Sequence, residues 1–231
     1  MSRSRSYRSR FDANVSLGRS LDAVLDALAS RRRREALSVL RTREGSVSES
    51  DLVSHVVARR ADKPLLDVTR EEHRQTWTRF HHVHLPKLAD AGLIRRSDGR
   101  VSAASSPVLD RPEFDALVRR DDGETDDESD DRDAILSALA DGRRRTVLSV
   151  LRETGRLELP TLARRVAARE DDAPGGPSDE RVESVLAGLR HAHAPKLAAA
   201  GLVEYDDARG TISYEGHPAF DPRWLLRARD E

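Results

Sequence analysis

The strongest constraint on this chain is that it repeats itself. His84-Leu85-Pro86-Lys87-Leu88-Ala89-Asp90-Ala91-Gly92-Leu93 recurs as His193-Ala194-Pro195-Lys196-Leu197-Ala198-Ala199-Ala200-Gly201-Leu202, 109 residues later. Upstream, Leu28-Ala29-Ser30 with Arg31 to Arg34, running on to Leu40, recurs as Leu139-Ala140-Asp141-Gly142 with Arg143 to Arg145, running on to Leu151, at an offset of 111. A period of this length marks one supersecondary module used twice, so the fold must close within about 95 residues. The expected organisation is a basic unstructured arm over 1–18, a first domain over 19–120, an acidic linker over 121–132 and a second domain over 133–231.

The net charge of −1 conceals a polarised chain. Residues 1–120 carry 24 basic and 16 acidic side chains, and residues 121–231 carry 16 and 25, so the first half alone has a cationic surface to offer a polyanion. Nine of the thirteen residues from Asp121 to Asp133 are acidic, a composition too self-repelling and too poor in apolar groups to pack by itself. The absence of cysteine excludes disulfides, thiolate metal sites and thiol nucleophiles. No apolar run approaches the roughly 20 residues that span a bilayer, and no apolar leader opens the chain, so a cytoplasmic protein without a membrane partner is expected. Arginine outnumbers lysine 37 to 3, which reads as the style of a salt-loving organism.

Each copy resolves into the same elements. In the first, Leu21, Val24, Leu25 and Leu28 have helical spacing. Ser30 is placed to cap a second helix carrying Ala36, Leu37, Val39 and Leu40, and Asp141 holds the corresponding position. A third helix is expected from Ser48 to about Arg60, matched by Pro160 to about Arg169. A long fourth helix runs from Arg70 to Ala91, opened by the capping box of Thr69 and Glu72 and stopped by Gly92; its twin spans 178–201. A hairpin follows, with strands over 93–96 and 100–103 around Asp98-Gly99, and over 202–206 and 211–215 in the second copy. A short helix closes each copy, near Phe114 and Leu117 or Trp224 and Leu225.

The end of the fourth helix, His84-Leu85 followed by Leu88-Ala89-Asp90-Ala91-Gly92-Leu93, resembles the recognition-helix signature of ArsR-type winged-helix regulators. The whole repeat, with its triple arginine and its His-x-His-x-Pro-Lys-Leu-Ala core, resembles a winged-helix domain of haloarchaeal proteins. The resemblance implies a mainly α, α+β fold: two tandem winged helix-turn-helix domains, each with a short β-hairpin wing. It also implies double-stranded DNA as partner, and a role as transcriptional regulator.

At 100° per residue, Trp77, Phe80, His84, Leu88 and Ala91 share one stripe of the fourth helix, and Glu71, Gln75, Thr78, Arg79, His82 and Ala89 lie opposite. In a winged helix the outward face enters the major groove. Gln75, Thr78, Arg79 and His82 are therefore candidates for base edges or phosphates, with Arg70 and Arg74 beside them and Arg95, Arg96 and Arg100 on the wing. Val83 stands where the regulator pattern usually has a basic residue, a departure in the grip. Copy two answers with Glu183, Ser184, Ala187 and Gly188 for Arg74, Gln75, Thr78 and Arg79, keeping only His82 as His191. Its wing carries Glu204, Asp206 and Asp207 against one Arg209, so the second domain is expected to meet protein, as a homodimer or with another chain. The triple arginines either contact phosphate or pair with acids and cover apolar surface, and the structural reading is preferred.

His81-His82-x-His84 suggests a metal cluster, but His82 and His84 are about 200° apart on a helix and lack ligands at i+4. His84 and His193 are read instead as core histidines, each with a hydrogen-bond partner. Pro86 and Pro195 leave the carbonyls of His82 and His191 without their usual donor, so a kink is expected. No phosphate loop, nucleophile elbow or paired-carboxylate motif stands out, so no enzyme activity, metal or cofactor is expected. The alternative to DNA reading is an adaptor whose winged helices bind protein without sequence-specific DNA contact.

Overall fold

The computed structural model describes residues 21–105, 118, 126–171, 175–214 and 216. The expected arm over 1–18 and the closing helices near Phe114 and Trp224 lie outside the described residues. The chain forms two compact units, Ala23–Asp133, and Ala134–Glu231 together with the segment ending at Asp22. It is mainly helical with two small antiparallel sheets, and the two units repeat one α+β arrangement.

The first unit begins at Ala23, within helix α1 (residues 21–28), and continues through α2 (Arg31–Arg41), β1 (Val47–Ser48), α3 (Glu49–Arg60), α4 (Arg70–Arg79), a π-helical turn (Phe80–His84), α5 (Leu85–Asp90), β2 (Ile94–Ser97) and β3 (Arg100–Ala103). Leu25, Leu28, Leu37, Leu40, Leu52, Val56, Phe80 and Leu88 are fully buried, which is the periodic apolar set that makes these segments legible as helices. The sheet order is β1-β3-β2, with Val47 opposite Val101 and Ile94 opposite Ala103. Asp98 and Gly99 both take positive φ, as a two-residue hairpin turn requires. The third strand, β1, is not expected from the sequence; two residues are too few to carry an alternating pattern.

The other unit repeats the arrangement from Ala134, within α6 (Asp126–Leu139), through α7 (Gly142–Thr154), β4 (Arg156–Glu158), α8 (Leu159–Glu170), α9 (Asp179–Gly188), a second π-helical turn (Leu189–His193), α10 (Ala194–Ala199), β5 (Glu204–Asp206) and β6 (Thr211–Ser213). Its sheet order is β4-β6-β5, the same topology.

Two expectations are corrected. The acidic run is helical from Asp126, because it has buried work to do: Ser129 is enclosed, Arg34 donates to the Asp133 carboxylate and to Ser129 Oγ (3.2 Å), and Asp133 also accepts the Arg31 N–H at 3.2 Å. That last bond caps α2, so Ser30, expected to cap it, makes no side-chain cap, whereas Asp141 accepts the Arg144 N–H at 3.0 Å as expected. In the companion unit Asp22 accepts from Arg145 at 2.6 Å. The triple arginines hold the structural role preferred from the sequence, with backbone carbonyls among their partners. Arg33 donates to the carbonyls of Ala27 and Asp26, and Arg34 to that of Leu28 at 2.9 Å; Arg144 and Arg145 do the same for Ala138, Ser137 and Leu139. Two of the three arginines in each copy are structural.

The second correction is at the proline. The fourth helix absorbs Pro86 in a π-helical turn, where the Leu85 N–H reaches the Phe80 carbonyl. The widened turn brings His84 and Leu85 both inward, and Trp77, expected on the core stripe, is only half-buried. His84 is buried against the Phe80 ring, with centroids 4.9 Å apart, and neither ring nitrogen has the expected hydrogen-bond partner.

His84 makes a test of this core. Burial first, then the charges of Arg33, Arg32 and Arg79, lower its pKa to about 4 from an ordinary 6.5. Below pH 6.5 the unfolded chain takes up a proton that the folded chain refuses, so stability held above that pH is lost progressively down to about pH 4. The difference amounts to about 2–3 kcal/mol. His84→Leu should reduce by that amount the fall in stability between pH 7 and 4, measured by urea unfolding; parallel losses in both proteins would show that another group is responsible.

Candidate nucleic-acid interface

The face of α4 is fixed at its start by the capping box. Thr69 Oγ1 accepts the Glu72 N–H at 3.3 Å, and Glu72 Oε2 accepts the Thr69 N–H at 2.9 Å. Lys63 Nζ closes on the same carboxylate at 2.6 Å, and this bond, followed by those from Thr69, holds the Glu72 carboxyl at about 2. With its first turn fixed, the helix presents Arg70, Arg74, Gln75, Thr78 and Arg79 to solvent, and His82 continues the row on the π turn. All six are exposed. Glu71 holds two of them: Arg74 donates to it at 2.8 and 3.0 Å, and Gln75 Nε2 at 2.7 Å. Exposed pairs of this kind are worth about 0–1 kcal/mol, so Arg74 and Gln75 can exchange Glu71 for another acceptor at little cost.

On the neighbouring face of the helix, His73, Trp77 and His81 stack at four-residue spacing, with centroids 5.8 and 5.5 Å apart. The ladder is tied at both ends to α3. His73 Nε2 lies 3.1 Å from the Ser50 hydroxyl and carbonyl, and His81 Nδ1 lies 2.7 Å from Glu49 Oε2.

Glu49 is the unexpected residue. It is 3% exposed, and Arg96 of β2 donates to its carboxylate twice, at 3.0 and 2.8 Å. Burial pushes the Glu49 carboxyl up, but the His81 and Arg96 bonds and charges outweigh that and hold it below its ordinary range. One buried acid thus joins the start of α3, the π turn and the hairpin. Of the three hairpin arginines, Arg95 and Arg100 are exposed, Arg100 donating to Ser46 Oγ at 2.9 Å, whereas Arg96 is half-buried and turned to Glu49. Sequence reasoning misses this triad because the partners of Glu49 lie 32 and 47 residues away. The one available signal is the repeat, which has the apolar Leu159 at the position of Glu49.

In the second unit the corresponding helix exposes Asp179, Glu183, Ser184, Ala187 and His191. Gly188 is not part of an open small-residue face. A Cβ there would be in ordinary contact with the His193 ring at 3.5 Å and Arg143 Nη1 at 3.6 Å, so the position is lined by side chains of its own unit.

A family model described as Domain of unknown function (DUF7344) matches residues 25–102 and again 136–213, two thirds of the chain and both repeats. No curated protein and no solved structure matches. Among the described residues no helix is long and apolar enough to cross a membrane.

The triad sets a prediction on stability. Arg96→Ala leaves a buried carboxylate with one partner and should cost about 2 kcal/mol. Glu49→Leu copies the second unit, where Leu159 is fully buried, and should cost less than half as much. Urea unfolding at pH 7 gives both values, and the reverse order would show that the carboxylate is not held by Arg96.

Proposed function

The chain belongs to the family described as Domain of unknown function (DUF7344), which it carries twice, and from that premise we propose that it is a DNA-binding transcriptional regulator with tandem winged helix-turn-helix domains. On this reading α2 to α4 form the helical core of each domain, the hairpin is its wing, and the first repeat is the main DNA reader.

One observation carries the reading. The two repeats share one backbone plan, yet on the outward face of the fourth helix the first exposes Arg70, Arg74, Gln75, Thr78, Arg79 and His82, whereas the matching positions of the second hold Asp179, Glu183, Ser184, Ala187 and the half-buried Gly188, with only the histidine kept as His191. The first set offers forked donors and amides suited to base edges and phosphates. The second offers carboxylates that a phosphate backbone repels. The exposed Arg95 and Arg100 of the first hairpin support the same division, against Glu204 in the second. Gln75 and Thr78 are assigned to base edges, Arg70 and Arg74 to the flanking backbone, and Arg96 to holding the hairpin through Glu49. The second repeat, acidic on the same face, is assigned to protein contact.

Sites bound in cells, mapped by genomic footprinting, supply the duplex for the test. Gln75→Ala with Thr78→Val should weaken binding to that duplex by about 1–3 kcal/mol for each base edge no longer read, and relax the sequence preference. Ser184→Ala with Ala187→Val should leave both unchanged. Discrete promoter footprints are the expected outcome; their absence, with equal affinity for all duplexes, would favour the adaptor reading instead.

A further inference from the structure

Three arginines of the first unit stand together with no carboxylate bonded to them among the described residues. Arg32 lies in the first turn of α2, Arg60 ends α3 and Arg79 ends α4. Glu35, whose charge reaches Arg32, is bonded to Arg31 at 3.0 Å. The matching positions of the second unit are in contact, Arg143 with Glu170 at 2.8 Å and Arg143 Nη1 3.6 Å from a Cβ at Gly188, which places the three arginines side by side. In keeping with this, the pKa of the partly buried Arg32 is lowered first by burial and then by the charges of Arg60 and Arg79, with Glu35 opposing them.

The second unit shows what fills this place. There the three positions are Arg143, Glu170 and Gly188. Glu170 receives Arg143 in a fork, Nε to Oε1 and Nη2 to Oε2, both at 2.8 Å, and also receives Arg181 at 2.9 Å. Arg143 Nη1 lies 3.6 Å from where a Cβ at Gly188 would sit, in contact range of that position. The charge at the fourth member is reversed too, since Arg181 stands where the first unit has Glu72, which is engaged with Lys63. The second unit therefore carries its own planar oxyanion on the guanidinium of Arg143. The first unit has replaced that oxyanion with a cation, Arg60, and added another, Arg79.

We propose that Arg32, Arg60 and Arg79 form a binding site for a phosphate oxyanion, occupied by a backbone phosphodiester of duplex DNA. The proposal rests on the DNA-binding reading for its occupant, and on the two repeats for the site. Forked guanidinium donors match a tetrahedral phosphate as they match the Glu170 carboxylate. Because Arg32 is already partly desolvated and its partners repel it, an arriving phosphate removes an unfavourable term as well as adding bonds. Arg79 lies between this cluster and the exposed face carrying Gln75 and Thr78, so a phosphate held here fixes the register in which those side chains meet the bases.

The test uses the full chain with Arg60→Glu, which gives Arg32 the carboxylate that Arg143 has, and Arg60→Gln, which removes the charge alone. Each is titrated with random-sequence duplex across a salt series, and melted with and without inorganic pyrophosphate. Arg60→Glu should melt at or above wild type, weaken every duplex complex about tenfold or more, and flatten the salt dependence by about two phosphate contacts. Arg60→Gln should lose less and covers the case in which Arg60→Glu misfolds. Glu170→Arg should conversely gain affinity for duplex and pyrophosphate. Wild-type binding to duplex with unchanged affinity and slope in both Arg60 variants would overturn the site and leave the DNA reading standing. Stabilisation by pyrophosphate that Arg60→Glu abolishes, with no duplex binding by wild type, would overturn the DNA occupant and keep the oxyanion site. Binding of neither would overturn both.

Discussion

The fold depends on a corner made by two buried arginines. A helix end leaves carbonyls without donors, and a glycine in the left-handed region is the usual way to satisfy them. At the end of α1 the chain has Ala29-Ser30 instead, and the donors come from the start of the next helix: Arg33 and Arg34 turn back onto the carbonyls of Asp26, Ala27 and Leu28. Two cations at the negative end of a helix also answer its dipole. The corner between the first two helices is thereby set by charge-assisted bonds and closed over by apolar packing. Removing either guanidinium would leave buried carbonyls unpaired. The second unit repeats the device with Arg144 and Arg145, which is why this part of the sequence differs so little between the copies.

Once the backbone is fixed in this way, side chains pointing away from the corner are free to differ, and the copies differ mostly by moving carboxylates. Glu49 in the first unit becomes Leu159 in the second, Arg60 becomes Glu170, Glu72 becomes Arg181, and Thr42 becomes Glu153. Each exchange changes what a nearby arginine does. Arg59 and Arg169 both donate to a serine on the preceding helix, Ser38 or Ser149, but Arg169 also has Glu153. The first unit uses its buried acid to hold the hairpin against the fourth helix, and leaves cations on the outside. The second spends its acids on the arginines themselves. The same scaffold gives one cationic surface and one self-neutralised one.

The helices, the hairpins and the repeat are legible because apolar spacing, capping boxes and glycine stops are local signals. Pro86 marks the irregular turn correctly, but its form is not legible: a kink and a π-helical turn both accommodate a missing donor, and packing around Phe80 and His84 selects between them. The start of α6 is hidden because its reason for folding, the reach of Arg34 and Arg31 to Asp133 and Ser129, spans about a hundred residues and leaves no trace in a local pattern. Of the candidate interface, the exposed row on α4 and the π turn follows from helical geometry alone, and all six residues are where that geometry puts them. Arg96 does not follow, since a strand position says which face a side chain takes and not whether a buried acid waits there. Arg32 and Arg60 are hidden for a related reason: a charge on a helix surface reads as solvated until its neighbours are known.

Ionic strength separates these residues by kind. The exposed arginines of α4 and the hairpin act through water, and at molar salt, where the screening length is about 3 Å, their long-range pull is gone. Arg32 is different, since its partly buried guanidinium is screened less and its repulsion from Arg60 and Arg79 persists. A phosphate reaching it would gain contact bonds that salt weakens only through counterion release. On the DNA-binding proposal, Arg32, the partly buried member of its cluster, would set where a polyanion rests in a salt-rich medium, and the exposed row would decide only which sequence is preferred.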